Sequence, residues 1–139
     1  MTKVTEGAAR RAVPDQTIAD GEPSNTIADG EPSNTASIRD LNDCFRQSLR
    51  GGRVVVTAGV HALGPQRLRA ILTKVTSFNG FTVDNDPYGE HDFGAFDDDG
   101  ERLFWKIDYY DQALSGGSHN PADAALTCRV LTIMLASEY

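Results

Sequence analysis

The stretch DNDPYGEHDFG at positions 84–94 holds the densest set of acid, base and ligand groups in the chain. Asp84, Asp86, Glu90, His91 and Asp92 place carboxylates around one imidazole. These residue types hold divalent cations or exchange protons with a substrate. Calcium is the first chemistry to test. With Asp84 at position 1 of an EF-hand-type loop, Asp86, Gly89 and Asp92 fall at the third, sixth and ninth positions, all suitable. Tyr88 then falls fifth and Ala95 twelfth, where a bidentate Glu is required, so this register lacks two side-chain ligands. A carboxylate site of another type, for Ca²⁺ or Mg²⁺, stays open on Asp84, Asp86, Glu90, His91 and Asp92. No other cofactor is implied. His61, His91 and His119 are scattered, and no H-x-x-x-H or C-x-x-C pair sets up a zinc site.

Hydrolytic chemistry needs a nucleophile, a base and an orienting group within mutual reach. Ser115 and Ser118 lie near His119 in a segment of ordinary linker composition, SGGSHN. Thr57 and His61 bracket a glycine turn after a strand. No serine sits in G-x-S-x-G, and no G-x-x-x-x-G-K-[ST] cradles a phosphate. The sequence therefore names no catalytic set.

The elements that must position these groups follow from spacing. Residues 17–25 and 26–34 are the same nine residues, TIADGEPSN, with one aliphatic side chain per copy. Such a segment buries too little apolar surface to offset the entropy of ordering, so residues 1–36 are expected to form a disordered tail ahead of a globular domain at 37–139. Ser37-Ile38-Arg39-Asp40 has the form of a capping box, and Ile38, Leu41, Phe45 and Leu49 recur at helical spacing up to Gly51-Gly52. Arg53 to Thr57 is β-branched and reads as a buried strand. Pro65 opens a second helix with Leu68, Ile71, Leu72, Val75 and Phe78 on one stripe. Asp92–Phe96 and Glu101–Tyr110 flank DDDG, a hairpin signal with Gly100 at a positive φ. Asn120 and Pro121 open a last helix whose Leu126, Val130, Leu131, Met134 and Leu135 face the core. The expected fold is α+β, a single domain in the order α-β-α-β-β-α, with a small, mostly antiparallel sheet and a β-hairpin packed against helices.

Within LFWKIDYYD, Leu103, Trp105, Ile107 and Tyr109 share one strand face, while Phe104, Lys106, Asp108 and Tyr110 share the other. Core packing is the first reading of these aromatics. The second is a contact patch made by Phe104, Lys106 and Tyr110 beside the hairpin acids Asp97, Asp98, Asp99 and Glu101.

Charge divides unevenly. Positions 39–74 carry seven basic residues against two acids, and positions 84–111 carry ten acids against Arg102 and Lys106. Internal neutralisation across the fold is weighted above a recognition surface. As a surface, the acidic half suits a basic protein partner, including one that itself binds nucleic acid. The net charge of −7 disfavours direct nucleic-acid binding, although Arg39, Arg46, Arg50, Arg53, Arg67, Arg69 and Lys74 could form a local basic patch. No apolar run is long enough to span a membrane, and MTKVTEGAARRAVPDQ lacks the apolar core of a secretory signal. Two unclustered cysteines, Cys44 and Cys128, suit a reducing, cytoplasmic setting better than a disulfide framework.

The segments GGRV, TAGV, DNDPYGEHDFGA, FWKIDYYD and PADAALTCRVLTIMLASEY, in that order, resemble a bacterial family of small proteins of unknown function found on plasmids and other mobile elements. The resemblance covers about residues 37–139 and leaves out the repeat tail. It implies one autonomous domain in a bacterial cytoplasm and assigns no catalytic residue. Two functions are expected to compete. One is a non-enzymatic protein-binding or regulatory module acting through the acidic hairpin face, including anti-defence roles. The other is a metal-dependent enzyme or metal-binding protein centred on the 84–92 stretch.

Overall fold

A computed structural model describes residues 27–139, with side chains from residue 34 onward. Residues 1–26 of the expected tail, including the first copy of the repeat, lie outside the described residues, and residues 27–36 are helical rather than disordered. Helix α1 runs Ile27–Ser48, so it starts within the second repeat copy rather than at Ser37. Ser37 and Asp40 are exposed, and their capping pattern sits on the solvent side of a continuing helix. Strand β1 (Gly52–Val56) follows, then the one-turn helix α2 (Ala58–His61) and helix α3 (Pro65–Thr76), with Pro65 in its first turn as expected. The long loop 77–92 leads into β2 (Phe93–Asp98) and β3 (Glu101–Tyr110). A 3₁₀ turn (Ala124–Leu126), strand β4 (Cys128–Leu135) and a 3₁₀ turn (Ala136–Glu138) finish the chain.

The four strands form one mixed sheet in the order β1-β4-β3-β2. β2 and β3 form the antiparallel hairpin, β3 and β4 are antiparallel, and β1 joins β4 in parallel. The α+β class therefore holds, as one small domain. The C-terminal helix does not: residues 128–135 are a central strand. CRVLTIML is apolar at most successive positions and β-branched at Val130, Thr132 and Ile133, and six of its eight residues are buried. A strand covered on both faces loses its two-residue alternation, so apolar spacing could not separate it from a buried helix. Asn120 does cap, since its Oδ1 accepts from the Ala122 amide at 3.2 Å, but it closes a turn.

The core lies between the sheet and the helices. Leu103, Trp105, Ile107 and Tyr109 of β3 and Leu131 and Ile133 of β4 pack with Phe45 of α1, Val60 of α2, and Ile71 and Val75 of α3. Leu103 and Trp105 are fully buried, in line with the expected inward face. The opposite face is buried too: Lys106 is 1% exposed, and its Nζ meets Asp108 Oδ2 at 3.2 Å beside Thr132 on β4. Gly94 is required where it stands, because a Cβ there would collide with the Trp105 indole. Asp99 and Gly100 both take positive φ, the signature of a two-residue hairpin turn. At the C-terminus, Glu138 accepts from the Thr57 hydroxyl at 2.5 Å, the Leu135 amide at 2.8 Å and the Gly59 amide at 2.9 Å, tying the last turn to the β1–α2 junction. Cys44 and Cys128 are both free thiols. Among the described residues, no helix is long and apolar enough to cross a membrane.

Candidate functional site

The loop 81–92 is placed by side chains that come from other elements. Arg46, on the buried side of α1, is 1% exposed. It donates to the carbonyls of Val75 and Phe78, the free end of α3, and its guanidinium lies over the rings of Phe81 and Trp105. Arg39 donates to the Gly89 carbonyl at 3.1 Å, and Asn42 to the Glu90 carbonyl at 3.0 Å. Inside the loop, Thr82 and Asn85 exchange backbone–side-chain bonds, and Gly89 closes the Asp86-Pro87-Tyr88-Gly89 turn with its amide on the Asp86 carbonyl. That turn has the residue chemistry expected of it: proline presets one φ, and Gly89 takes a φ of 70°.

His91 sits at the centre. Its φ is 58°, a conformation few non-glycine residues adopt, and its amide donates to Asp86 Oδ1 at 3.1 Å. Its ring stacks flat on Phe81 at 3.7 Å. Nδ1 lies 2.9 and 3.1 Å from the two oxygens of Asp43, so this nitrogen carries the proton. Nε2 is 3.6 Å from Asp86 Oδ2. Burial raises the Asp86 carboxyl above its ordinary value, against the His91 amide and ring, which lower it. Alongside, the Tyr109 hydroxyl donates to Glu90 Oε1 at 2.7 Å and accepts from Asn42 Nδ2 at 2.9 Å. Burial first, and the nearby carboxylates of Asp92 and Glu90 second, push the phenol well above its usual value. Asn42 completes the chain by accepting from Arg129 Nε at 2.7 Å.

The expected ion-site residues thus separate. Asp86 and His91 meet. Glu90 turns to Tyr109, Asp92 gives its carbonyl to the Ile107 amide, and Asp84 is exposed. Among the described residues, no group of three or more His, Cys, Asp and Glu side chains is placed to hold a metal ion. Both nitrogens of His91 face carboxylates and one ring face is covered, so the cluster acts as a clamp between α1 and the loop. Of the other candidates, Thr57 donates to Glu138, Ser115 bonds Asp111, Ser118 bonds Thr127, and His61 and His119 are exposed.

The hairpin residues also divide. Asp98 is 7% exposed and accepts from Arg67 Nε and Lys74 Nζ, each at 3.1 Å, so α3 neutralises it. Burial would raise its carboxyl, but Lys74 and Arg67 hold it below its ordinary value. Asp97 pairs with Arg102 at the surface, and Asp99 keeps 76% of its side chain exposed, 3.8 Å from Arg67. Phe104 packs on Phe93 and Tyr139, Tyr110 and Glu101 are half-buried, and Lys106 is inside. The basic helices are likewise largely engaged, since Arg39, Arg46, Arg67 and Lys74 hold loop, helix end or hairpin. Arg50, Arg53 and Arg69 stay exposed.

Asp43, Asn42, Tyr109 and Arg129 were not picked out from the sequence as site residues. One signal was present: Asn42 and Arg46 interrupt the apolar stripe of α1 at helical spacing, where polar residues need buried partners.

The fold and this polar clamp define a small α+β domain whose long loop is fastened to a mixed sheet. Residues 56–138 match the family described as protein of unknown function DUF3768, and the chain belongs to that family. No curated protein and no solved structure matches it.

Proposed function

We propose that the domain is a non-enzymatic protein-binding or regulatory module of a bacterial mobile element, working in the cytoplasm on a basic protein partner, with an anti-defence target as one form. The observation that carries this reading is the display of Val83 and Tyr88. They are 82% and 76% exposed, on an acid-flanked loop whose backbone is fixed by the bonds to Arg39, Asn42 and Asp86. A fixed loop loses little entropy on binding, and an exposed tyrosine is a favoured anchor at protein interfaces. The hairpin acids Asp97, Asp99 and Glu101 add negative potential that steers a basic partner. Asp98, Phe104, Lys106 and Tyr110, first grouped with them, serve as supports of that hairpin.

Affinity capture from bacterial extract tests this. The wild-type chain should retain a basic protein that a Val83→Ser/Tyr88→Ser double variant loses. An Asp97→Asn/Asp99→Asn/Glu101→Gln variant should hold it more weakly, with the difference shrinking in high salt. Identical captured proteins for all three would refute the reading. The competing metal-dependent reading predicts that Ca²⁺, Mg²⁺ or Zn²⁺ raises the melting temperature. Our expectation is no change in thermal denaturation with any of the three, and a saturable rise with one would favour the cation site.

A further inference from the structure

A second site adjoins the far end of this polar chain, where β4 begins. Arg129 is 3% exposed, yet no carboxylate stands within ion-pair distance of it among the described residues. Two of its nitrogens are spent, Nε on Asn42 Oδ1 and Nη2 on the Pro121 carbonyl at 2.6 Å, and its guanidinium lies over the Tyr109 ring. These contacts fix its orientation. Nη1 makes no hydrogen bond among the described residues, and it is not among the fully enclosed atoms left without a partner. Arg129 lines a half-open hollow of about 160 Å³ between the last turns of α1, the α1–β1 connection and the 3₁₀ turn before β4. Leu41, Phe45 and Ala124 make apolar walls, Cys44 and Arg50 stand at its lining, and no acid lines it. Arg50 is exposed and makes no ion pair among the described residues.

We propose that this hollow binds a small organic carboxylate, the anion meeting Arg129 Nη1 with Arg50 near it and the apolar body resting on Leu41, Phe45 and Ala124. The Glu90 carboxylate acts on this guanidinium only through Asn42 and Tyr109, and a ligand carboxylate would give it a direct charged partner. Burial already pulls the Arg129 pKa below its ordinary value, opposed by Tyr109 and Glu90. A cavity of this volume takes an apolar group about the size of benzene. Phosphate fits less well, because it needs several donors around it and most of this wall offers none. The carboxylate could belong to a free acid or to the C-terminus of a peptide ending in an apolar residue.

The test is an amide NMR titration of the full chain with sodium benzoate, with benzamide as the uncharged isostere, inorganic phosphate, and an acetylated dipeptide with a free C-terminal carboxylate. Benzoate should shift the amides of Leu41, Gly51 and Thr127 saturably, with a Kd of about 1 mM or tighter. Benzamide and phosphate should bind at least about tenfold more weakly, a difference of about 1.4 kcal/mol. Cys44→Phe, which fills the hollow, should abolish the shifts, and Arg50→Glu should weaken them severalfold. The second variant alters an exposed residue and guards against misfolding of the first. The dipeptide separates the sources: binding tighter than benzoate assigns a chain terminus, weaker binding a free acid, and both retain the site. Shifts that never saturate, benzamide binding as well as benzoate, or binding untouched by both variants would overturn it.

Discussion

Asp86 illustrates how much of the loop hangs on single atoms. It is 8% exposed, and its Oδ1 accepts the amide of His91, a residue already held at positive φ. The acceptor matters more than the charge, because burial raises its pKa and so disfavours the ionised form. Asp86→Ala should cost about 1–3 kcal/mol by leaving the His91 amide unpaired, whereas Asp86→Asn keeps an acceptor and should lose less than half as much in urea denaturation. The sign with pH follows. A carboxyl whose folded pKa is raised contributes stability below its unfolded value and loses it as pH rises through the folded value. Equal losses for the two variants would show that the charge is what holds the loop. The importance of Asp86 and His91 was legible from their density in DNDPYGEHDFG. Their partner Asp43 was not, because it lies 48 positions away on α1 and only the packing of that helix on the sheet brings it near.

The hairpin is the element where charge and packing meet. Its turn could be read directly, because Asp-Gly between two aromatic strands has few other conformations. Its attachment could not: Asp98 pairs with Arg67 and Lys74 on a helix about thirty residues earlier, and only the balance of basic and acidic halves hinted at it. Asp98→Asn should lower the melting temperature at neutral pH by a few degrees. Because its folded pKa is depressed, this contribution is present above the ordinary value of 3.8 and fades as pH falls through the folded value, so variant and wild type should converge in acid. A gap that persists in acid would mean the loss is not electrostatic. Strand β4 shows where pattern reading fails. Leu126, Val130, Leu131, Met134 and Leu135 fit a helical stripe, yet Leu126 is 48% exposed in the turn before the strand, while Thr132 and Ile133, off the stripe, are fully buried. Such a run has no polar face to disclose its period, and only its pairing with β1 and β3 decides the matter.

Across the whole molecule, the uneven charge is resolved internally only in part, through Arg67 and Lys74 on the hairpin acids. α3 neutralises Asp98, and α1 spends Arg39 and Arg46 on carbonyls of the loop and of the α3 end. What remains at the surface is basic at Arg50, Arg53 and Arg69, acidic at the hairpin tip and apolar at Val83 and Tyr88. The central claim is that this clamped loop meets a protein. Site-specific photocrosslinking in bacterial cells tests it most directly, with a photoreactive phenylalanine analogue at position 88 and a control analogue at exposed position 119. The account predicts a light-dependent adduct with a basic protein from position 88, absent from position 119 and lost when Arg39→Ala frees the loop. No adduct from position 88, or the same adducts from both positions, would contradict it.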